Sequence, residues 1–212
     1  VPNPQLTSET GWSAEVGLRK GLQVNGFSAF FDLAGFISEY DDMMEFNIVL
    51  DQGFPPPFQS RNVGDTRIKG FEVSLTGRGK FFGLETMALI GYTFIDPKFK
   101  EFAPVDSLRF GSEEYKKTEA YQNAINSSIC SNRDNCKNVL KYRYRHTFKF
   151  DVESRKDKVS VGVAAVYNSF MENIDEVFEA FVVPGLRQFR RDNQAGDLIL
   201  SARGAFFASD HL

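Results

Sequence analysis

The sequence predicts an all-β fold: an antiparallel up-and-down segment of a transmembrane β-barrel, with about seven strands. Three observations carry this expectation. Apolar and polar residues alternate with a period of two over stretches longer than the ~5–6 residues of an ordinary globular strand, and long enough to tilt across a bilayer, which takes about 9–11 residues. The connections sort by length, short ones near Gln23, Lys80 and Lys156 alternating with long ones near Asp51, Ser112 and Val183. A meander so connected has every short turn at one end and every long loop at the other, the asymmetry of outer-membrane barrels with short periplasmic turns and long extracellular loops. A soluble sandwich gives no reason for that sorting. Finally, 22 of 212 residues are Phe, with 7 Tyr and 1 Trp, a supply that aromatic girdles at two membrane interfaces would use.

Each strand follows from its own pattern. Thr10 to Lys20 sets Trp12, Ala14, Val16 and Leu18 against Ser13, Glu15, Gly17 and Arg19. A short link through Asn25-Gly26 leads to Phe27–Tyr40, where Phe27, Ala29, Phe31, Leu33 and Ile37 share one face and Phe30 and Phe36 break the rule on the other. Asp41 to Phe58 is a longer connection, because Pro55-Pro56-Pro57 cannot lie inside a sheet. Asn62 to Gly79 carries Phe71, Val73 and Leu75 against Gly70, Glu72, Ser74 and Thr76. Leu84 to Asp96 follows, then a long mixed-charge connection from Pro97 to Lys141 with room for a short helix over Glu113–Ala124. Tyr142–Ser154 alternates His146, Phe148, Phe150 and Val152 with Thr147, Lys149, Asp151 and Glu153, and Val159–Tyr167 returns after a charged turn. Within Glu172–Gln194, Met171, Ile174, Phe178 and Phe181 recur at helical spacing and predict a short amphipathic helix. Ala195–Phe207 is the last strand.

Composition narrows the function. A net charge of −3 and a pI near 5.5 argue against nucleic acid as a partner. No run reaches the ~18 apolar residues of a spanning helix, and Val1-Pro2-Asn3-Pro4 has neither the basic start nor the apolar core of a signal peptide. Cys130 and Cys136, in CSNRDNC, lack the partners for a tetrahedral zinc site; a small disulfide loop fits them better and implies an oxidising compartment. No catalytic constellation assembles, since His146 and His211 are far apart and no nucleophile or zinc motif is present. No cofactor or metal is expected. Glu172, Asp175, Glu176 and Glu179 offer oxygens to a cation, but their spacing suits a solvated helix face better.

Ordered motifs along the chain then point to a family. NPQLTSETGWSAEVG resembles the NPxLxPExxxxxExG signature of TonB-dependent outer-membrane receptor barrels, with Asn3, Pro4, Leu6, Glu9, Glu15 and Gly17 on it and Ser8 in place of the second Pro. FFDLAGFISEYDDMMEF is similar to the family's next strand, ending in a Y-x-D-M step. NVGDTRIKGFEVSL resembles its N-x-G…G-x-E strand through Asn62, Gly64, Gly70 and Glu72, and GYTFIDPKF, YRYRHTFKFDVES and VAAVYNS resemble later strands. The DMMEF and NVGDTRIKGFE blocks are closest to receptors of the Bacteroidetes type.

The resemblance implies part of a barrel of about 22 strands closed by a plug. Residues 1–212 are then expected to form a partial barrel domain, with plug and last strands absent. It implies the outer membrane of a Gram-negative bacterium, lipid and lipopolysaccharide around the wall, the TonB complex as energising partner through the plug, and a scarce small-molecule nutrient as cargo: iron–siderophore, haem, cobalamin or glycan. In such a receptor Glu15, Arg19, Glu72, Lys149, Asp151, Glu153 and Arg203 line the lumen. Asp41, Asp42, Met43 and Met44 in the first long loop, Arg109 and Tyr115 in the second, and Arg187 and Arg190 in the third are the ligand-facing candidates, since loops on a rigid scaffold usually carry recognition. A passive porin-like barrel and a soluble secreted glycan-binding β-sandwich are the alternatives.

Overall fold

The computed structural model describes residues 2–48, 58–100, 138–174, 178 and 182–208. The main sheet is built from β1 (Thr10–Val24), β2 (Phe27–Asp41), β5 (Thr66–Phe81), β6 (Leu84–Phe99), β7 (His146–Lys156), β8 (Val159–Asn168) and β9 (Asp197–Phe206), each hydrogen-bonded antiparallel to the next. A small hairpin of β3 (Met44–Ile48) and β4 (Phe58–Asn62) stands apart, and α1 (Leu186–Asp192) precedes β9. The sheet is open, with β1 and β9 at its edges.

The up-and-down meander agrees with the sequence, and so does the sorting of connections. The links Asn25-Gly26, Phe82-Gly83 and Asp157-Lys158 are two-residue turns at one end. The first two have positive φ at both residues, Asn25 47° and Gly26 84°, Phe82 49° and Gly83 79°. That is the mirror-image turn whose twist matches antiparallel strands. All longer connections leave from the other end. β1, β5 and β6 run past their expected ends to Val24, Phe81 and Phe99, where the alternation alone becomes ambiguous, whereas β5, β7 and β9 begin later than expected, at Thr66, His146 and Asp197.

Two local expectations are corrected. Asn62 belongs to the hairpin and not to the strand beginning at Thr66; Gly64, at φ 93°, takes the bend between them. Of the residues expected to form a helix, Met171–Ile174 are irregular, Phe178 is in a helical turn and its carbonyl accepts from the Val183 N–H at 3.1 Å, and Phe181 lies outside the described residues. A separate helix spans Leu186–Asp192. The apolar spacing there reflects side chains pressed into the rim; Ile174 is buried without helical backbone. The expected disulfide of Cys130 and Cys136, the helix near Glu113–Ala124, Arg109, Tyr115, and Asp175, Glu176 and Glu179 lie outside the described residues.

Register assigns each residue to a face, since directly opposed residues point the same way. One row across the sheet reads Lys20, Phe31, Leu75, Ile90, Phe150, Ala165, Leu200, apolar from β2 onward. The row beside it on the other face reads Arg19, Asp32, Ser74, Gly91, Lys149, Val166, Ile199. The apolar face is bare: Val16, Leu18 and Leu200 are 77%, 60% and 72% exposed, and among the described residues no second sheet covers it. From Phe27 to Ile37 the apolar residues cover about 33 Å along the strand at ~3.3 Å each, or about 25 Å of height at a tilt near 40°, the depth of a barrel's lipid-facing band. Aromatics collect toward both ends of that band. Phe71 lies 5.8 Å from Tyr92 and 5.7 Å from Phe94, with His146 5.1 Å from Phe94, while Phe27, Phe81 and Phe82 cluster at the short-turn end. His146 is therefore an interfacial group, its Nδ1 2.8 Å from the Tyr92 hydroxyl.

Candidate functional site: the polar face and its rim

The polar face gathers Glu15, Arg19, Glu72, Lys149, Asp151, Glu153 and Arg203 on one side of the sheet, because all seven share the same register parity. Arg203 reaches across β8 to β7, placing Nη2 2.6 Å and Nη1 2.8 Å from the Asp151 carboxylate and Nε 2.8 Å from Glu153. Gly162 makes this crossing feasible: a Cβ there would stand 2.7 Å from the Arg203 Nε. Arg19 pairs in the same way with Asp32 across the β1–β2 ladder, at 2.5 Å. Asp32, Glu72 and Lys149 surround a niche of about 130 Å³ whose wall is opened by Ala34, Ser74 and Gly91, and Thr93 donates to Glu72 at 3.2 Å. These pairs are solvated, with Arg203 44% and Asp151 42% exposed. Arg203→Gln is therefore expected to cost about 1 kcal/mol or less, read as the shift in a urea unfolding midpoint.

At the long-connection end the polar side acquires a lid. Tyr40, Ile68, Thr66 and Phe99 have polar-face parity, and Met43, Val63 and Leu140 pack on them in a small apolar core. Thr66 is wholly buried, its hydroxyl 3.1 Å from the Met43 sulfur. Asn138 continues the β6 edge by bonding Phe99 in both directions, and Leu140 donates to the Pro97 carbonyl. The N-terminal segment straps the hairpin down. The Asn62 amide donates to the carbonyls of Thr7 and Asp42 and accepts from the Thr7 backbone; Asn3 donates to the Ser60 carbonyl; Glu9 accepts from the Met44 N–H. Asn62→Ala returns these exposed groups to water and is expected to loosen the hairpin by about 0.5–1.5 kcal/mol. Faster proteolytic cleavage between Met44 and Asn62 would report it.

The loop candidates separate on this rim. Met43 is 8% exposed inside the apolar core and is not presented to a ligand; its methionine chemistry fills a gap under the hairpin. Asp41 lies on the apolar-face side beside Lys100, at 3.4 Å, while Asp42 and Met44 are exposed. Arg190 donates to the Met171 carbonyl at 2.7 Å and lies over the Phe170 ring, so it fastens the third connection. Arg187 is half-buried on the same helix.

Beyond Ile37 the apolar face ends in a belt of ion pairs. Arg67 donates to Glu39 at 2.6 Å, Lys98 sits 3.1 Å from Asp96, and Arg145 joins Asp96 to Glu172 at 3.1 and 3.3 Å. Loss of solvation lowers the Lys100 pKa, but Glu39 and Asp41 raise it more, leaving that ammonium above its ordinary value. Sequence reasoning named neither this belt nor the polar-face cations Arg78, Lys80 and Arg155. Strand parity carried past Thr76 in β5 and past Glu153 in β7 would have found the last three.

A bare apolar face of bilayer height, a polar reverse face and sorted connections define the wall of a transmembrane β-barrel. The chain belongs to the TonB dependent receptor-like, beta-barrel family, whose model matches residues 1–123. No curated protein matches the chain.

Proposed function

We propose that the chain is part of an outer-membrane receptor of a Gram-negative bacterium that binds a scarce small-molecule nutrient and imports it with energy supplied by the TonB complex. The observation that carries this reading is the division of one seven-stranded sheet into a mainly apolar face and a face that gathers most of the strand charges, in a chain of the TonB-dependent receptor barrel family. In this reading the apolar face meets lipid, and Glu15, Arg19, Glu72, Lys149, Asp151, Glu153 and Arg203 line the lumen. The short turns are periplasmic. The long connections face outside, with Asp42, Met44 and Arg187 as recognition candidates among the described residues. Arg67, Lys69 and Lys98, just beyond the outer aromatics, suit the phosphates of lipopolysaccharide. The role is transport, not catalysis, and the cargo class is an iron–siderophore, haem, cobalamin or a glycan.

The test is growth of a receptor-deletion strain on each of these as the limiting nutrient, with and without an active TonB complex. Restored growth that depends on both the receptor and TonB is expected. Growth restored without TonB would favour a passive barrel, and a receptor that stays soluble and monomeric without detergent would exclude the membrane reading.

A further inference from the structure

The apolar face carries a charge inside its band. β1 sets Lys20 between Leu18 and Leu22, on the side that also carries Trp12, Val16 and Val24. Among the described residues, Lys20 is the only Lys, Arg, Asp or Glu of that face between the short turns and the outer ion-pair belt. It is exposed and has no hydrogen-bond or ion-pair partner among the described residues. An ammonium that faces hydrocarbon is costly and is relieved by reaching an anion or water. β2 offers no anion at that level. Lys20 is opposed by Phe31, and Glu39, the next carboxylate on this face of β2, stands about 26 Å further along the strand at ~3.3 Å per residue.

The inner end is nearer. From Lys20 to Val24 is about 13 Å along the strand, or about 10 Å of height at a tilt near 40°, and the four-carbon stem of lysine spans most of it. Leu75, in the same row, stands further from the end of its own strand at Phe81. The charges of the face are also sorted by end. Its strand carboxylates among the described residues, Glu39, Asp41 and Asp96, all belong to the outer belt, whereas the inner end carries Lys20 and Lys156.

We propose that Lys20 holds the phosphate of a phospholipid in the periplasmic leaflet, drawing that headgroup inward along β1. The proposal rests on the reading of the apolar face as the lipid-facing wall. A lipid phosphate suits the site because the headgroup arrives from the hydrated surface, while its acyl chains cover Leu22 and Val24, 40% and 66% exposed. A carboxylate on a strand paired with the other edge of β1 would place a second charge in the same hydrocarbon, at further cost. A free phosphate ion has no acyl chains to carry it there.

The test is native mass spectrometry of the full-length receptor released from bilayers of phosphatidylglycerol and phosphatidylethanolamine, at a collision energy that strips loosely held lipid. Wild type is expected to retain a phospholipid, identified by its mass, that Lys20→Met loses. The bound fraction should fall about tenfold with the loss of one charge-assisted contact, and Lys20→Arg should keep it. Lys20→Met removes a charge from hydrocarbon, so that variant is expected to assemble at least as well as wild type. Equal retention by wild type and Lys20→Met, an adduct of free phosphate instead of a lipid, or carbodiimide coupling of Lys20 to a carboxylate of the receptor would overturn the proposal. In that event TonB-dependent import would leave the transport reading standing; a receptor soluble without detergent would remove the transport reading first.

Discussion

Leu75→Arg is expected to lower the unfolding free energy in lipid vesicles by about 2–4 kcal/mol, whereas Ser74→Arg, one residue earlier, should change it by about 1 kcal/mol or less. The two positions are adjacent in sequence and opposite in consequence. Leu75 stands in the apolar row between Phe31 and Ile90, near mid-height of the band. A guanidinium there is placed in hydrocarbon, where the only relief is to reach toward an interface or to thin the bilayer. Ser74 lines the polar niche and is opposed by Asp32, with Glu72 beside it. An arginine at that point gains carboxylates within reach and remains solvated. Urea titrations of the two variants and the wild type in the same vesicles measure the difference. Equal destabilisation by both would mean that the two faces do not meet different solvents.

The second large effect concerns Gly70. A Cβ at this position would stand 2.1 Å from the Phe94 carbonyl oxygen, 2.8 Å from the end of the Phe36 ring and 3.2 Å from the Ile95 Cα. Two of these are backbone atoms of β6, the strand with which β5 makes its longest ladder, so no side-chain rotation relieves the clash. Gly70→Val is expected to cost about 3 kcal/mol or more. Gly35→Ala serves as the control, since nothing stands within 4 Å of its added Cβ; it should shift stability by no more than about 0.5 kcal/mol. The same geometry explains why Phe36 interrupts the polar side of β2. Its ring lies over the strand where β5 has no side chain, as Phe27 lies over Gly77 on the opposite face.

Most of the sheet was legible because a period of two is a direct image of the pleat. His146 to Val152 against Thr147 to Glu153 needs no tertiary information to be sorted into two faces, and the structure sorts them as the alternation does. The sorting of turns was legible for a related reason, because chain length between strands is visible in the sequence. What failed was set by contacts between distant segments. Asn62 reads as the start of a strand until its amide is seen bridging Thr7 and Asp42. Met43 reads as a rim side chain until Val63, Phe99 and Leu140 close over it. Met171 and Ile174 keep a helical spacing without a helix, because burial against the rim selects apolar residues whatever the backbone does. The lid over the polar face is thus the part of the candidate site least accessible from sequence, and the charged wall beneath it the most.

In the membrane reading, alternate residues of β7 meet hydrocarbon and water. Nitroxide labels placed singly at positions 147 to 152 of the receptor in lipid vesicles test it most directly, by comparing collision with oxygen, which concentrates in lipid, and with a water-soluble nickel chelate. A period of two is expected, with labels at Phe148, Phe150 and Val152 favouring oxygen and those at Thr147, Lys149 and Asp151 favouring nickel. Uniform accessibility along the strand, or low accessibility to both reagents at Phe148 and Phe150, would contradict it.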